Sequence, residues 1–446
     1  MSTDAPPFLA VLLYGLAVST AQTTTQQTPV AYRDGAIYTI NLEPGPDGDG
    51  EGQDLFTVIR RGESDADGKW EWQSTVIDEH TPFDPWHTPP AVGVDGAGYV
   101  HVAYSMHNTP WQYASSVRPG EIGEFTFRGD VVDQAELDRA FDRNQANYPK
   151  LGSADIPGTQ VTYPAFYNDR DGELWATYRF AAKPARSFAE RTMSAGVARH
   201  DSDLDTWTAV GGPVPVARGK DYETASLLTF WRDETAPVAL AAKTGWTLYH
   251  PRLAFAPDNT VHASWFWREG VAGSRVTRPC HLFSSDGDLF YEIGESESVP
   301  LPFPLERCGN VTPDDDRAYY TVGNTTVNSR GEPHMVLSPV EGGREVHHVA
   351  EGIWHADPLP YSATEIWFDR NDNLWAVASG PNVFVRRDGE KDWLTVYESD
   401  EQRYCGARST VDSTGEVDRA YLYVNHCGEP HISIVAFDLV VPERTL

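Results

Sequence analysis

The sequence predicts an all-β protein: a seven-bladed β-propeller forming a single domain. Three observations carry that expectation. Gly (37), Pro (32), Trp (14) and Tyr (20) are plentiful while Lys and Arg total only 35 of 446 residues, which suits many short strands joined by turns. A hairpin plan, two apolar strands around a polar turn, recurs along the chain. A second, outer pair of strands follows several of these hairpins, and four strands in about 40 or more residues mark a propeller blade.

The chain opens on "FLAVLLYGLAV", residues 8–18, followed by the small residues of "STAQ". This predicts a signal peptide over 1–21, a mature catalytic propeller over 22–446, and secretion. The leading "MSTDAPP" lacks the usual positive charge, and a buried strand is the competing reading. No other apolar run approaches the ~20 residues that span a bilayer, so no membrane association is expected.

Blades are expected to start near residues 37, 91, 165, 252, 325, 365 and 409, with "IYTINL" as the first inner strand. Their hairpins superpose on Gly98, Gly172, Asn259, Gly331, Asn373 or its neighbour, and Gly415, where a turn needs positive φ. Outer pairs include "AGVARHDSDLDTWTAV", "HLFSSDGDLFYEIG" and "VFVRRDGEKDWLTV". Residues 128–160 and 210–248 read as insertions between blades, the first holding a short helix at "AELDRAFDRN".

The formal net charge of −30, with no Lys/Arg cluster, argues against nucleic acid as a partner. It does not exclude an anionic substrate, because a few converging arginines set the potential of a pocket. Four cysteines without a C-x-x-C suit two disulfides in an oxidising compartment rather than zinc. Cys405 and Cys427 bracket the last hairpin at its two ends, which pairs them and leaves Cys280 with Cys308. Asn310 in "NVT" and Asn324 in "NTT" are glycosylation sequons.

Strands of a hairpin are antiparallel, so the residue entering the first and the residue leaving the second lie at one rim. Blade two places His87 and His107 there. Blade three places Tyr163 and Arg179, and blade four Tyr249, His250, Arg252 and Arg268. A proline, Pro90, Pro164 or Pro251, stands at the equivalent place in each. Histidine, tyrosine and arginine together suit proton abstraction α to a carboxylate. Arginine neutralises the acid group, His or Tyr takes the acidified proton, and a partner protonates the departing oxygen. The G-x-S-x-G and H-E-x-x-H motifs are missing, and these rim positions carry no acidic pair.

The segments "HTPP…DGAGYVHVAYSMHN…YASS", "TYPAFY", "TYRF" and "LYHPRLAFAPDNTVHASWFWRE" resemble the BNR-repeat propeller lyases, which include ulvan lyases and the L-rhamnose-α-1,4-D-glucuronate lyases that act on gum arabic. The match runs from about residue 80 to 380. The resemblance implies His107 as the main acid/base residue, His87 and Tyr163 as assistants in proton transfer, and Arg179 as carboxylate clamp. Tyr249, His250, Arg252 and Arg268 become substrate contacts. The expected partner is a glycan containing uronic acid, cleaved by a secreted monomer. No cofactor or metal is required, although a structural Ca²⁺ in the Asp-rich turns stays open. The rivals are an ulvan lyase, a glycoside hydrolase using Asp84, Asp221, Glu223 or Asp357, and a sugar-binding propeller without catalysis.

Overall fold

The computed structural model describes residues 11–17, 27–45, 55–65, 67, 69–81, 87–133, 150–158, 160–183, 191–214, 238–269, 276–308, 311–312, 319–360, 363–378, 382–398, 404–426 and 431–442. Among them the regular structure is strand, apart from one 3₁₀ turn at Leu305–Arg307. Among the described residues seven antiparallel blade sheets follow one another along the chain, as the hairpin repeat predicts, with a two-stranded ladder in each of the two insertions. Their innermost strands are Val30–Arg33, Ala91–Val94, Val161–Asn168, Trp246–Phe255, Tyr319–Val327, Glu365–Phe368 and Tyr404–Asp412.

The middle strands of the sheets are buried on both faces, which is why they read as near-continuous apolar runs, while outermost strands such as Trp70–Thr81 and Ile353–Pro358 are largely exposed. Among the described residues seven apolar clusters result, one between each neighbouring pair of blades. Trp175 packs with Trp265 and Trp267 between blades three and four. Val30 and Ile37 pack with Tyr423, Ile432 and Ile434 where blade one meets blade seven, and Tyr32 stacks on Tyr421 at 5.0 Å.

A local staple accompanies the hairpin turns. Asp169 accepts a hydrogen bond from the Trp175 indole at 3.1 Å, and Asp369 from the Trp375 indole at 2.9 Å. Both carboxylates also accept backbone N–H groups within their own turns. Positive φ is found at Gly98, Gly172, Asn259 and Gly331 as expected, and in blade six it falls on Asp372 rather than Asn373. Gly415 is not among the positive-φ residues; the last turn is a longer bend.

Blade one corrects the expected inner strand. Asp34 and Gly35, with φ of 50° and 83°, turn Val30–Arg33 back onto Ala36–Pro44, so "IYTINL" is the second strand. This is the Asp-Gly turn favoured by tight hairpins. Val11–Ala17 forms an antiparallel ladder with His431–Asp438 as the outermost strand of blade seven. That placement is the strand alternative to a leader. The predicted helix at 135–144 lies outside the described residues. In the second insertion, Gly212–Pro213 pairs with Val238–Ala239, and Ala241–Thr244 adds to Thr192–Ala195 of blade three.

Cys280 and Cys308 form a disulfide, Cα to Cα 4.9 Å, inside the cluster between blades three and four. The Cys405–Cys427 pairing lies outside what is described, as does Asn310. The Asn324 sequon does not suit a glycan: its amide donates to Ile366 O and accepts from Ile366 N at 2.8 Å, tying blade five to blade six in the channel wall.

Candidate active site at the mouth of blades two to four

The entry to blade three is distorted in a way that re-aims side chains. Thr162 pairs with Arg179, but the next pair is Ala165 with Thr177, so the Tyr163-Pro164 stretch holds one residue too many. Blade four repeats this at His250-Pro251, between the pairs Tyr249–Phe266 and Arg252–Ser264. Proline cannot donate to a ladder and is accommodated in such bulges, which bend the strand. Tyr163 adopts φ +61°, an outlier for a bulky residue that persists only where its surroundings over-determine it.

His107 reaches the site by a different route from the one the hairpin register predicts. The ladder of blade two ends at Ala91–Ala103. The chain then turns at Ser105, φ +56°, whose hydroxyl donates to Asp78 Oδ2 at 2.8 Å, and His107–Thr109 crosses over to pair with Val161 and Thr162 of blade three. Asn108, φ +55°, fixes this crossing: its N–H donates to Thr162 Oγ1 at 2.8 Å, and its Oδ1 accepts from Thr162 Oγ1 at 3.3 Å and from Arg179 Nη2 at 3.4 Å. Ser105, Asn108, Gln160 and Tyr163 all hold left-handed backbone within these two short segments. Strain concentrated there, about 1–3 kcal/mol per residue, is the pattern of a preorganised site.

The expected residues meet. The His87 and His107 rings stack at 3.7 Å with 7° between planes, and His87 lies 5.7 Å from the Tyr163 ring. Tyr163 lies 6.0 Å from Tyr249. The Arg179 guanidinium sits over both tyrosines, 4.6 Å from Tyr163 and 5.5 Å from Tyr249, and Arg268 lies 5.7 Å from Tyr249. Two imidazoles and a phenol thus stand beside a buried guanidinium that, among the described residues, meets an amide oxygen and aromatic faces rather than a carboxylate. Such a guanidinium is preorganised for an incoming anion.

Arg252 does not join this group. It lines a central cavity of about 660 Å³ together with Glu365 and Arg408, because the bulge separates it from Tyr249 and turns it toward the channel. The His250 side chain lies outside what is described. Of the acids considered for hydrolysis, Asp84, Asp221 and Glu223 lie outside the described residues, and Asp357 is held on the fourth strand of blade five by Arg386 and His348, at 2.8 and 3.1 Å.

Two residues were not anticipated. Asn108 supports Arg179, and its only sequence signal is its place beside His107. Arg191 is buried near Arg179; burial first, and the charge of Arg179 second, lower its guanidinium below the usual range. It immediately precedes the third strand of blade three, Thr192–Asp201, where no motif marks it.

The model of a BNR repeat-containing family matches residues 50–361. Among solved structures, the polysaccharide lyase Uly1 superposes with a TM-score of 0.62 at 13% identity, covering 94% of this chain and 91% of that one. A PL25 ulvan lyase, solved bound to -[GlcA(1-4)Rha3S]-, superposes with a TM-score of 0.58 at 13% identity, covering 95% of each chain. At this identity the likeness establishes a shared fold. No curated protein gave a match.

Proposed function

The chain belongs to the BNR repeat-containing family, and we propose that it is a secreted polysaccharide lyase that breaks a rhamnosyl-glucuronate linkage by β-elimination. The observation that carries this reading is the meeting of His87, His107 and Tyr163 with buried Arg179 on strained backbone at one mouth. Arg179 binds the uronate carboxylate and stabilises the negative charge that develops on it as the C5 proton leaves. Tyr163 and the imidazole pair lie where that proton can be taken. The C5–H electron pair becomes the C4=C5 double bond, the C4–O bond breaks, and the departing rhamnosyl oxygen takes a proton from the same group of acids. His107 is the principal acid/base residue, with His87 and Tyr163 assisting. Tyr249 and Arg268 border the same place and contact the sugar ring.

The acidic surface keeps the chain soluble while Arg179, Arg191 and Arg268 give the mouth its cationic character. The proposed partner is a glycan of the gum arabic type; ulvan offers the same bond in a sulfated chain. Residues 1–21 are proposed to be a leader removed on export, which would leave blade seven without the Val11–Ala17 strand. N-terminal sequencing of protein recovered from the medium checks this.

The reaction itself is tested by ultraviolet absorbance of unsaturated uronate after incubation with gum arabic and with ulvan. New absorbance that disappears in His107→Ala supports elimination by this site. New reducing ends without absorbance would replace the lyase reading with hydrolysis, and full activity in His107→Ala would remove His107 from the mechanism.

A further inference from the structure

At the end of the blade-two hairpin remote from His87, three enclosed side chains converge. Asp95 follows the first strand, His101 lies on the second, and His200 comes from the third strand of blade three; all three are at most 1% exposed. Their ligand-capable atoms lie within 4.8 Å of one another. Asp95 Oδ1 accepts the Tyr99 N–H at 2.8 Å, leaving Oδ2 toward the imidazoles. Oδ2 is 3.2 Å from His101 Nε2 and 3.6 Å from His200 Nδ1. These separations bracket the ~3.4 Å expected between ligands of a tetrahedral zinc ion with bonds of about 2.0–2.2 Å.

The far side of each imidazole is held. His101 Nδ1 meets Tyr113 Oη at 2.6 Å, and that oxygen accepts the Trp207 indole N–H at 3.1 Å. His200 Nε2 meets Asp205 Oδ1 at 3.2 Å, and Asp205 in turn accepts from Arg128 at 2.6 Å. A carboxylate on the outer nitrogen fixes the tautomer of metal-bound histidines in the same way. With its Nε2 proton given to Asp205, His200 presents Nδ1 as a lone pair. That atom is buried, has no hydrogen-bond partner among the described residues, and lies 3.6 Å from a carboxylate oxygen. Two facing lone pairs in a dry interior repel unless a cation lies between them. Blades three and six use an indole at the position of His101, a donor that cannot ligate metal.

We propose that Asp95, His101 and His200 bind one zinc ion that pins blade two to blade three. The ligands span two blades, so the ion closes an interface that Phe166 and Trp207 otherwise fill with aromatic packing. All three ligands are enclosed, so the role of the ion is structural.

The test uses full-length protein purified without a polyhistidine tag. Elemental analysis should find about one zinc per chain, falling to background in His200→Gln. Chelator treatment should lower Tm, and zinc, unlike magnesium or calcium, should restore it. Cobalt substitution of the wild-type protein should give tetrahedral d–d absorption, which keeps the test independent of how well His200→Gln folds. Metal-free folded protein whose Tm ignores both chelator and zinc would overturn the proposal and assign His200 to a proton-sharing contact between Asp95 and Asp205. Undiminished zinc in His200→Gln would overturn it equally. Neither result bears on elimination at the mouth, which the absorbance assay reads separately.

Discussion

Replacing Arg179 by methionine should separate stability from activity. Arg179 is 4% exposed; among the described residues its guanidinium donates to Asn108 Oδ1 at 3.4 Å and lies over Tyr163 and Tyr249. Its Nε has no hydrogen-bond partner among those residues. Burying this charge costs several kcal/mol, against which two cation–π contacts return about 0.5–2 kcal/mol each. Methionine fills similar space without the charge, so the variant should melt at or above the wild-type temperature. In the transition state two charge-assisted N–H···O bonds to the uronate carboxylate, about 1.5–3 kcal/mol each, are lost. That is roughly 3–6 kcal/mol, or about 10²–10⁴-fold in kcat/KM. Arg179→Lys keeps the charge without the fork and should fall between the two. Thermal denaturation and the unsaturated-uronate assay read the two quantities. Wild-type kcat/KM in Arg179→Met would refute the clamp, and a collapse in Tm would refute the claim that this charge is held at the expense of stability.

Two further outcomes follow from the core. Burial lowers His262 from 6.5 to about 4, and burial, then the charge of His348, lowers His334 to about 3. The unfolded chain binds these protons first, so the stability they confer is complete above pH 6.5 and is lost as pH falls toward 4, on the order of 3 kcal/mol for His262. Denaturant midpoints between pH 7 and 4 that stay flat in wild type, or that fall no less steeply in His262→Gln, would contradict this. The Cys280–Cys308 disulfide closes a loop of 28 residues. Replacing both with alanine should cost about 3–4 kcal/mol by loop entropy and lower Tm by roughly 4 °C, and an unchanged melting curve would show that the bond adds nothing.

Much of the fold was legible because its determinants are local. A turn glycine or asparagine with positive φ, a carboxylate stapled to an indole six positions on, and apolar strands on either side each act within a dozen residues. Repetition then implied the ring, since a blade cannot bury both faces alone. The Cys280–Cys308 bond followed by elimination.

The mouth was legible as a set of residue types at matched strand ends, and His87, His107, Tyr163, Arg179, Tyr249 and Arg268 do gather there. Hairpin register alone does not bring them together. His107 arrives through the Ser105 turn and a crossing onto blade three, because Asn108 finds its partners in Thr162 and Arg179 rather than in its own hairpin. Arg252 falls into the channel because one bulged residue reverses which way the following side chains face. Asn324 spends its amide on Ile366 of the next blade. The sequence by itself therefore determined the repeated blade and the chemistry gathered at one rim, both set by contacts short in sequence. Only the tertiary structure decided which side chains turn into the mouth and which into the channel, because that choice rests on bulges, strained turns and hydrogen bonds between blades whose partners lie dozens of residues apart.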